Sequence, residues 1–190
     1  MFSDIFTLIV DTLSSLYLLI ILMRFVLQIA RADFYNPISQ FVFKATNPIL
    51  APVRRIIPGL GGIDIASLVL AILFQSVVLT LKVTVLSQTF PNPISVMLLS
   101  TVMVLSLLLK IYFWSLLIMI IAGWIAPGSG HPILVLINQI TEPLMKPFRN
   151  IMPPMGGLDL SPILVFLVLQ ILEKVVSHLG VQVTMGFPLV

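Results

Sequence analysis

The chain has 190 residues, of which 59% are hydrophobic and only 9% charged, with 10 Lys or Arg, 7 Asp or Glu and a net charge of +3. Soluble domains carry about 25% charged residues, and the mean hydropathy here is +1.17 for a mass of 21.0 kDa, which argues against a soluble enzyme, a nucleic-acid-binding domain or a disordered chain. The ten basic residues are scattered, so no basic patch supports direct nucleic-acid binding, and the absence of cysteine removes thiolate chemistry, Cys-ligated metals and disulfides.

A membrane-spanning helix needs about 20 mostly apolar residues. Four runs meet that length, at 5–29, 65–86, about 94–125 and 160–179. The first lacks a positive leading region and is too long for a cleavable signal peptide. The prolines cluster between the runs, where Pro37, Pro48, Pro52 and Pro58 follow the first and Pro127, Pro132, Pro143, Pro147, Pro153 and Pro154 follow the third. Proline lacks the helix donor and clashes with the preceding turn, so its absence marks the natural helices. Arg31, Lys44, Arg54 and Arg55 fall in the first long connection and Lys146 and Arg149 in the second, against Lys82 and Lys174 on the other side. The positive-inside rule therefore predicts both long connections in the cytoplasm and both termini outside.

The chain repeats itself at an offset of 95 residues. Segment 46–64 aligns without a gap to 141–159, and nine of the 19 pairs are identical, among them Pro52/Pro147, Arg54/Arg149, Gly61/Gly156, Gly62/Gly157 and Asp64/Asp159. The register extends to Tyr17/Tyr112, Pro37/Pro132 and Gln75/Gln170. Two copies, 1–95 and 96–190, each read as span, re-entry segment, span. An even number of crossings per copy predicts an all-α membrane protein of four transmembrane helices in two tandem hairpins of the same orientation.

Within each connection Asn36-Pro37 and Asn47-Pro48 read as helix starts, with His131-Pro132 and Glu142-Pro143 in the second copy. Ile49, Val53, Ile56 and Ile57 then fall at helical spacing with Arg54 and Arg55 to one flank, and Leu144, Phe148, Ile151 and Met152 repeat this around Arg149. A short amphipathic helix of this kind lies in the headgroup region, its cations at phosphates. Arg54, Arg55, Lys146 and Arg149 are thus candidates for lipid or partner binding, and Arg54–Asp64 and Arg149–Asp159 for a structural clasp. Pro58-Gly59-Leu60-Gly61-Gly62 turns the chain. Asp64 and Asp159 directly precede the next span, where a carboxylate can cap free backbone N–H groups or hold a cation or substrate. The glycines lack a Walker-type lysine, and His131 and His178 have no ligand-spaced companion, so no cofactor or metal is expected.

Ionisable groups inside a span are costly and mark candidate sites. Asp11, Arg24 and Lys110 lie within spans. In the repeat frame Asp11 and Lys110 share a depth, which predicts either a pair between the first and third spans or independent snorkelling. Glu173 and Lys82 are similarly matched. Gln75 and Gln170, with the two tyrosines, either line a polar path or bond between packed helices.

Asp33-Phe34-Tyr35-Asn36-Pro37, Pro52-Val53-Arg54-Arg55-Ile56-Ile57-Pro58, Gly61-Gly62-Ile63-Asp64 and Gly156-Gly157-Leu158-Asp159-Leu160-Ser161-Pro162 together resemble the YggT (YlmG-like) family of bacterial inner-membrane proteins. The resemblance covers nearly the whole chain as two tandem modules. The modules differ where Ala66-Ser67 faces Ser161-Pro162 and Arg55 faces Asn150. The resemblance implies a small integral membrane protein associated with cell-division gene neighbourhoods, osmotic tolerance and, in plastids, b-type cytochrome assembly and nucleoid distribution. It brings no catalytic residue. A non-enzymatic scaffold or assembly factor is the first expectation, with a membrane-protein partner or a second copy of the chain bound through the paired loops. A small-solute or ion transport component is the alternative.

Overall fold

A computed structural model describes residues 2–57, 59, 62–151 and 159–189. Among them run six helices: α1 (Phe2–Ile29), α2 (Pro37–Ile56), α3 (Ile65–Ser87), α4 (Pro93–Ile125), α5 (Pro132–Ile151) and α6 (Ser161–Gly186). Four of these, α1, α3, α4 and α6, are long and apolar enough to cross a membrane. Only 17% of the most apolar stretch of each is buried inside the protein. The outward side chains, such as Leu8, Val77, Ile163 and Leu167, are apolar as well, as expected where lipid replaces water. At about 1.5 Å per residue the 33 residues of α4 reach ~50 Å, well past a ~30 Å hydrocarbon core.

The last span is longer than its apolar run suggests. Gly180, Gln182 and Thr184 dilute the signal beyond residue 179, yet α6 continues to Gly186. The Nε2 atoms of Gln182 and His178 lie 3.0 Å apart one turn from each other.

A larger correction concerns the connections. Asn47-Pro48 and Glu142-Pro143 do not start helices; α2 and α5 are each continuous for 20 residues, with Pro48, Pro52, Pro143 and Pro147 inside them. Asn36 is the true cap of α2, its Oδ1 accepting from the Ile38 N–H at 3.0 Å. Each proline forfeits one backbone donor. Pro48, Pro52, Pro143 and Pro147 all lie on the exposed side, where the freed carbonyls can meet water or headgroups. The opposite face of α2, with Val42, Thr46 and Leu50, is buried and holds the helix in place.

Packing follows the repeat. The most extensive contacts join α1 to α3 and α4 to α6, with α3 against α4 between them; α2 lies on α1 and α5 on α4. The larger core combines Ile21, Leu22 and Val26 of α1 with Leu70 of α3, Val104 of α4 and Ile140 of α5. A smaller one joins Leu116, Met145, Val165 and Leu169 across α4, α5 and α6. The two connecting helices touch through Asn36 Nδ2, which donates to the Pro132 carbonyl at 2.8 Å. The chain end returns to the start of α4, where the Asn92 N–H donates to the Leu189 carbonyl at 2.9 Å.

Candidate functional site

The charged groups gather at two equivalent places, where the end of a connecting helix meets the start of the following span. In the first copy Arg54 occupies the last turn of α2 and Asp64 is the N-cap of α3. The Arg54 Nε donates to Asp64 Oδ1 at 3.3 Å and its Nη2 to Asp64 Oδ2, while Nη2 also reaches Gln28 Oε1 at 3.1 Å. Asp64 accepts in addition from the Ser67 hydroxyl and, at 3.4 Å, from the Ser67 N–H. Clasp and cap are therefore one arrangement. Gly62, at φ +84°, completes the turn into it, a backbone region that side chains other than glycine enter at a cost. Pro58, Leu60 and Gly61 of that turn lie outside the described residues.

Asp64 is 2% exposed. Burial raises its pKa, but the hydrogen bonds from Arg54 and Ser67 outweigh that, and the carboxyl is held below the usual carboxylate range. A second arginine supports the group. Arg24, also buried, lies with its Nε 3.9 Å from Asp64 Oδ2. Its Nη1 donates to the Phe43 carbonyl at 3.2 Å and to Thr46 Oγ1 at 3.0 Å, and its guanidinium stands 4.4 Å from the centre of the Phe43 ring. Arg24 thus bolts α1 to α2 while facing the start of α3.

In the second copy Arg149 Nε donates to Asp159 Oδ2 at 3.1 Å and Nη1 to Glu142 Oε2 at 2.7 Å. Asp159 Oδ1 accepts from the Ser161 N–H at 2.9 Å. These side chains are 40% and 39% exposed, for arginine and aspartate. Desolvation lowers the Arg149 pKa, but the hydrogen bonds to Asp159 and Glu142 more than reverse it and the net direction is upward. Desolvation likewise raises Asp159, and the bonds from Ser161 and Arg149 bring it below the usual range. The Gly156-Gly157 turn and its prolines, Pro153 and Pro154, lie outside the described residues, as does Met152.

Arg55 and Lys146 are exposed and make no ion pair among the described residues. The intramembrane charges are distributed differently from the sequence-based expectation. Asp11 pairs with Lys82 at 2.6 Å and not with Lys110, and Lys110 lies 3.9 Å from Glu173. Ser106 donates to Glu173 at 2.6 Å. The reason is packing: α1 lies along α3 and α4 along α6, while α1 and α4 meet only briefly. The depths were matched, but each charge finds its partner in its own copy.

Gln75 and Gln170, equivalent by sequence, are not equivalent in place. Gln75 is buried and donates to Met103 Sδ at 3.4 Å, whereas Gln170 is exposed on α6. The Tyr17 hydroxyl donates to the Ala45 carbonyl at 3.3 Å, an interhelical bond. Sequence reasoning overlooked Gln28, Ser67 and the link of Glu142 to Arg149. The first two carried signals, since Gln28 is four residues from Arg24 on one helix face and Ser67 three residues after a capping Asp. Among the described residues no three potential metal-ligating side chains cluster together.

The model of the CCB3/YggT family matches residues 3–86 and again 98–180. The chain belongs to this family. Its match in two segments coincides with the two copies whose ion-paired joints are described above. The chain is 54% identical over 171 residues to an uncharacterized protein of Pseudomonas aeruginosa, covering 90% of this chain and 87% of the relative. It is 38% identical over 172 residues to the uncharacterized protein YggT of Escherichia coli K12, covering 90% and 89%. A YlmG homolog protein 2 of Arabidopsis thaliana, chloroplastic, is 41% identical over 62 residues, 33% of this chain and 24% of that one. No solved structure matches the chain.

Proposed function

We propose that this YggT-family chain is a non-enzymatic scaffold or assembly factor of a bacterial inner membrane. It consists of two tandem hairpins, 1–95 and 96–190, of the same orientation, with α2 and α5 at the cytoplasmic interface and the termini periplasmic. The observation that carries this reading is the recurrence of the Arg–Asp joint in both copies. Each joint locks the end of an amphipathic helix to the start of a span, and this holds a surface in place. Arg54 and Arg149 serve that joint. The contacts to lipid phosphates or to a membrane-protein partner then belong to Lys44, Arg55 and Lys146, which are exposed, beside Phe41 and Ile56, which are 59% and 82% exposed.

One observation favours the transport alternative, with its link to osmotic tolerance. Asp11, Ser14, Ser15, Gln75 and Lys82 line a cavity of about 190 Å³ between α1, α3 and α4. Crosslinking and co-purification of the full chain from native membranes separates the two readings. A stoichiometric partner crosslinked through α2 or α5 supports the scaffold. Ion or solute flux through the purified protein in liposomes, lost on Lys82→Ala, overturns it.

A further inference from the structure

Beside the first joint lies a cavity of about 230 Å³ between the end of α1 and the start of α2. Arg24, Gln28, Phe34, Ser39, Phe43 and Arg54 line it. Arg24 and Ser39 are 6% and 7% exposed, so both polar groups are withdrawn from bulk solvent. Ser39 Oγ is buried without a hydrogen-bond partner among the described residues, which costs free energy unless a ligand or water supplies one. Arg24 uses Nη1 on α2, and among the described residues no hydrogen bond engages its Nη2.

The second copy holds the same cavity with different walls. A hollow of about 100 Å³ is lined by Met119, Gly123, Ser129, Leu134 and Asn138, which are the positions of Arg24, Gln28, Phe34, Ser39 and Phe43 shifted by 95. Arginine has become methionine, glutamine glycine and serine leucine. The charge of the walls is lost too. Arg24 and Arg54 line the first cavity, with Asp64 paired to both from the joint beside it. Among the described residues no charged side chain lines the second hollow, and the joint of its copy sets Arg149 against Glu142 and Asp159. Asp33, next in sequence to the cavity wall, turns its Oδ1 to the Tyr35 N–H at 2.9 Å.

We propose that the first-copy cavity is an anion site that takes a phosphate group, with Arg24 and the Ser39 hydroxyl as its donors and Arg54 at its rim. A buried guanidinium suits phosphate oxygens, and an excess of cation over carboxylate is what such a ligand requires. The volume falls short of the ~300–1,000 Å³ of sites for drug-sized ligands, so it fits a headgroup-sized anion. An anionic phospholipid headgroup and free phosphate share this chemistry. The inference stands whether or not α2 and α5 recruit a protein partner.

The test uses the purified full chain and the substitutions Arg24→Met and Ser39→Ala. Native mass spectrometry after exchange into phosphatidylcholine with and without phosphatidylglycerol reads lipid retention. Thermal unfolding in detergent with inorganic phosphate, against chloride at equal ionic strength, reads free-anion binding, because a ligand of the native state raises the midpoint. Ser39→Ala weakens binding about 3- to 10-fold, and Arg24→Met weakens it more than ~10-fold. Loss of selective phosphatidylglycerol retention in the variants assigns the site to lipid; loss of a phosphate-induced shift assigns it to the free anion. If Arg24→Met does not fold, Ser39→Ala decides alone. A wild-type protein that distinguishes neither phosphatidylglycerol nor phosphate, or a Ser39→Ala variant that binds both as the wild type does, overturns the proposal.

Discussion

The two copies carry the same joint in opposite surroundings. Arg54–Asp64 is buried at its carboxylate, which is 2% exposed, while Arg149–Asp159 is open at 40% and 39%. Around the first joint a second arginine crosses from α1; around the second, a methionine occupies that position and a glutamate takes the far side of the arginine. An identical motif thus secures one copy through desolvated charge and closes the other with a solvent-screened pair. The strength of an ion pair is set by what surrounds it.

The largest expected effect breaks this comparison directly. Asp64→Asn leaves Arg54 and Arg24 without their shared carboxylate and costs about 3–5 kcal/mol, the range for breaking a buried pair. Asp159→Asn costs under ~1 kcal/mol. Denaturant unfolding of both variants in one detergent checks this, and equal losses would show that exposure does not distinguish the joints. The pH response follows with a definite sign. Folded Asp64 is held below its ordinary pKa, so its contribution is full above the unfolded value of about 3.9 and is lost as pH falls through the lower folded value. Asp159 acts in the same direction. Unfolding midpoints measured from about pH 6 down to pH 3 should fall less steeply in Asp64→Asn than in the wild type. The raised pKa of Arg149 acts only in strong alkali and leaves this window untouched.

A second experiment tests whether the copies exchange charge partners. Asp11→Lys or Lys82→Asp alone should cost about 1–3 kcal/mol, the scale of an uncompensated charge in a span. The double swap Asp11→Lys with Lys82→Asp restores stability, because the two groups meet at 2.6 Å. The double swap Asp11→Lys with Lys110→Asp does not. Rescue by the second combination would place α1 against α4 and redraw the packing.

The spans were legible because apolar runs free of proline leave helix as the one economical solution. The end of α6 was not, since its last two turns carry Gln182 and Thr184 and their stability depends on neighbours. The Arg–Asp joint was legible as one alternative, from its repetition at a fixed offset. The continuity of α2 and α5 was hidden, because Asn47-Pro48 obeys the local rule for a helix start while the buried face of Val42, Thr46 and Leu50 overrides it. Charge partners were hidden for a similar reason. Sequence gives the depth of Asp11, Lys82 and Lys110, whereas helix packing chooses between partners of equal depth.

The smallest effect gives the sharpest comparison, because it concerns one residue type at one repeat position. Thr46 and Thr141 are both fully buried, and both donate to the carbonyl one turn back, at 2.7 and 2.9 Å. They differ in what else reaches the oxygen. Thr46 Oγ1 accepts from Arg24 Nη1 at 3.0 Å, whereas Thr141 Oγ1 has no such donor among the described residues and lies 3.0 Å from Met119 Sδ. Valine preserves the shape and removes the oxygen. Thr46→Val takes an acceptor from a buried guanidinium and costs about 1–2 kcal/mol, while Thr141→Val gives up a bond to its own helix and a weak sulfur contact, for under ~0.5 kcal/mol. In an Arg24→Met background the two positions become chemically alike, and the cost of Thr46→Val should fall to that of Thr141→Val. A difference that survives this background would mean that the copies diverge through packing of α2 and not through the arginine.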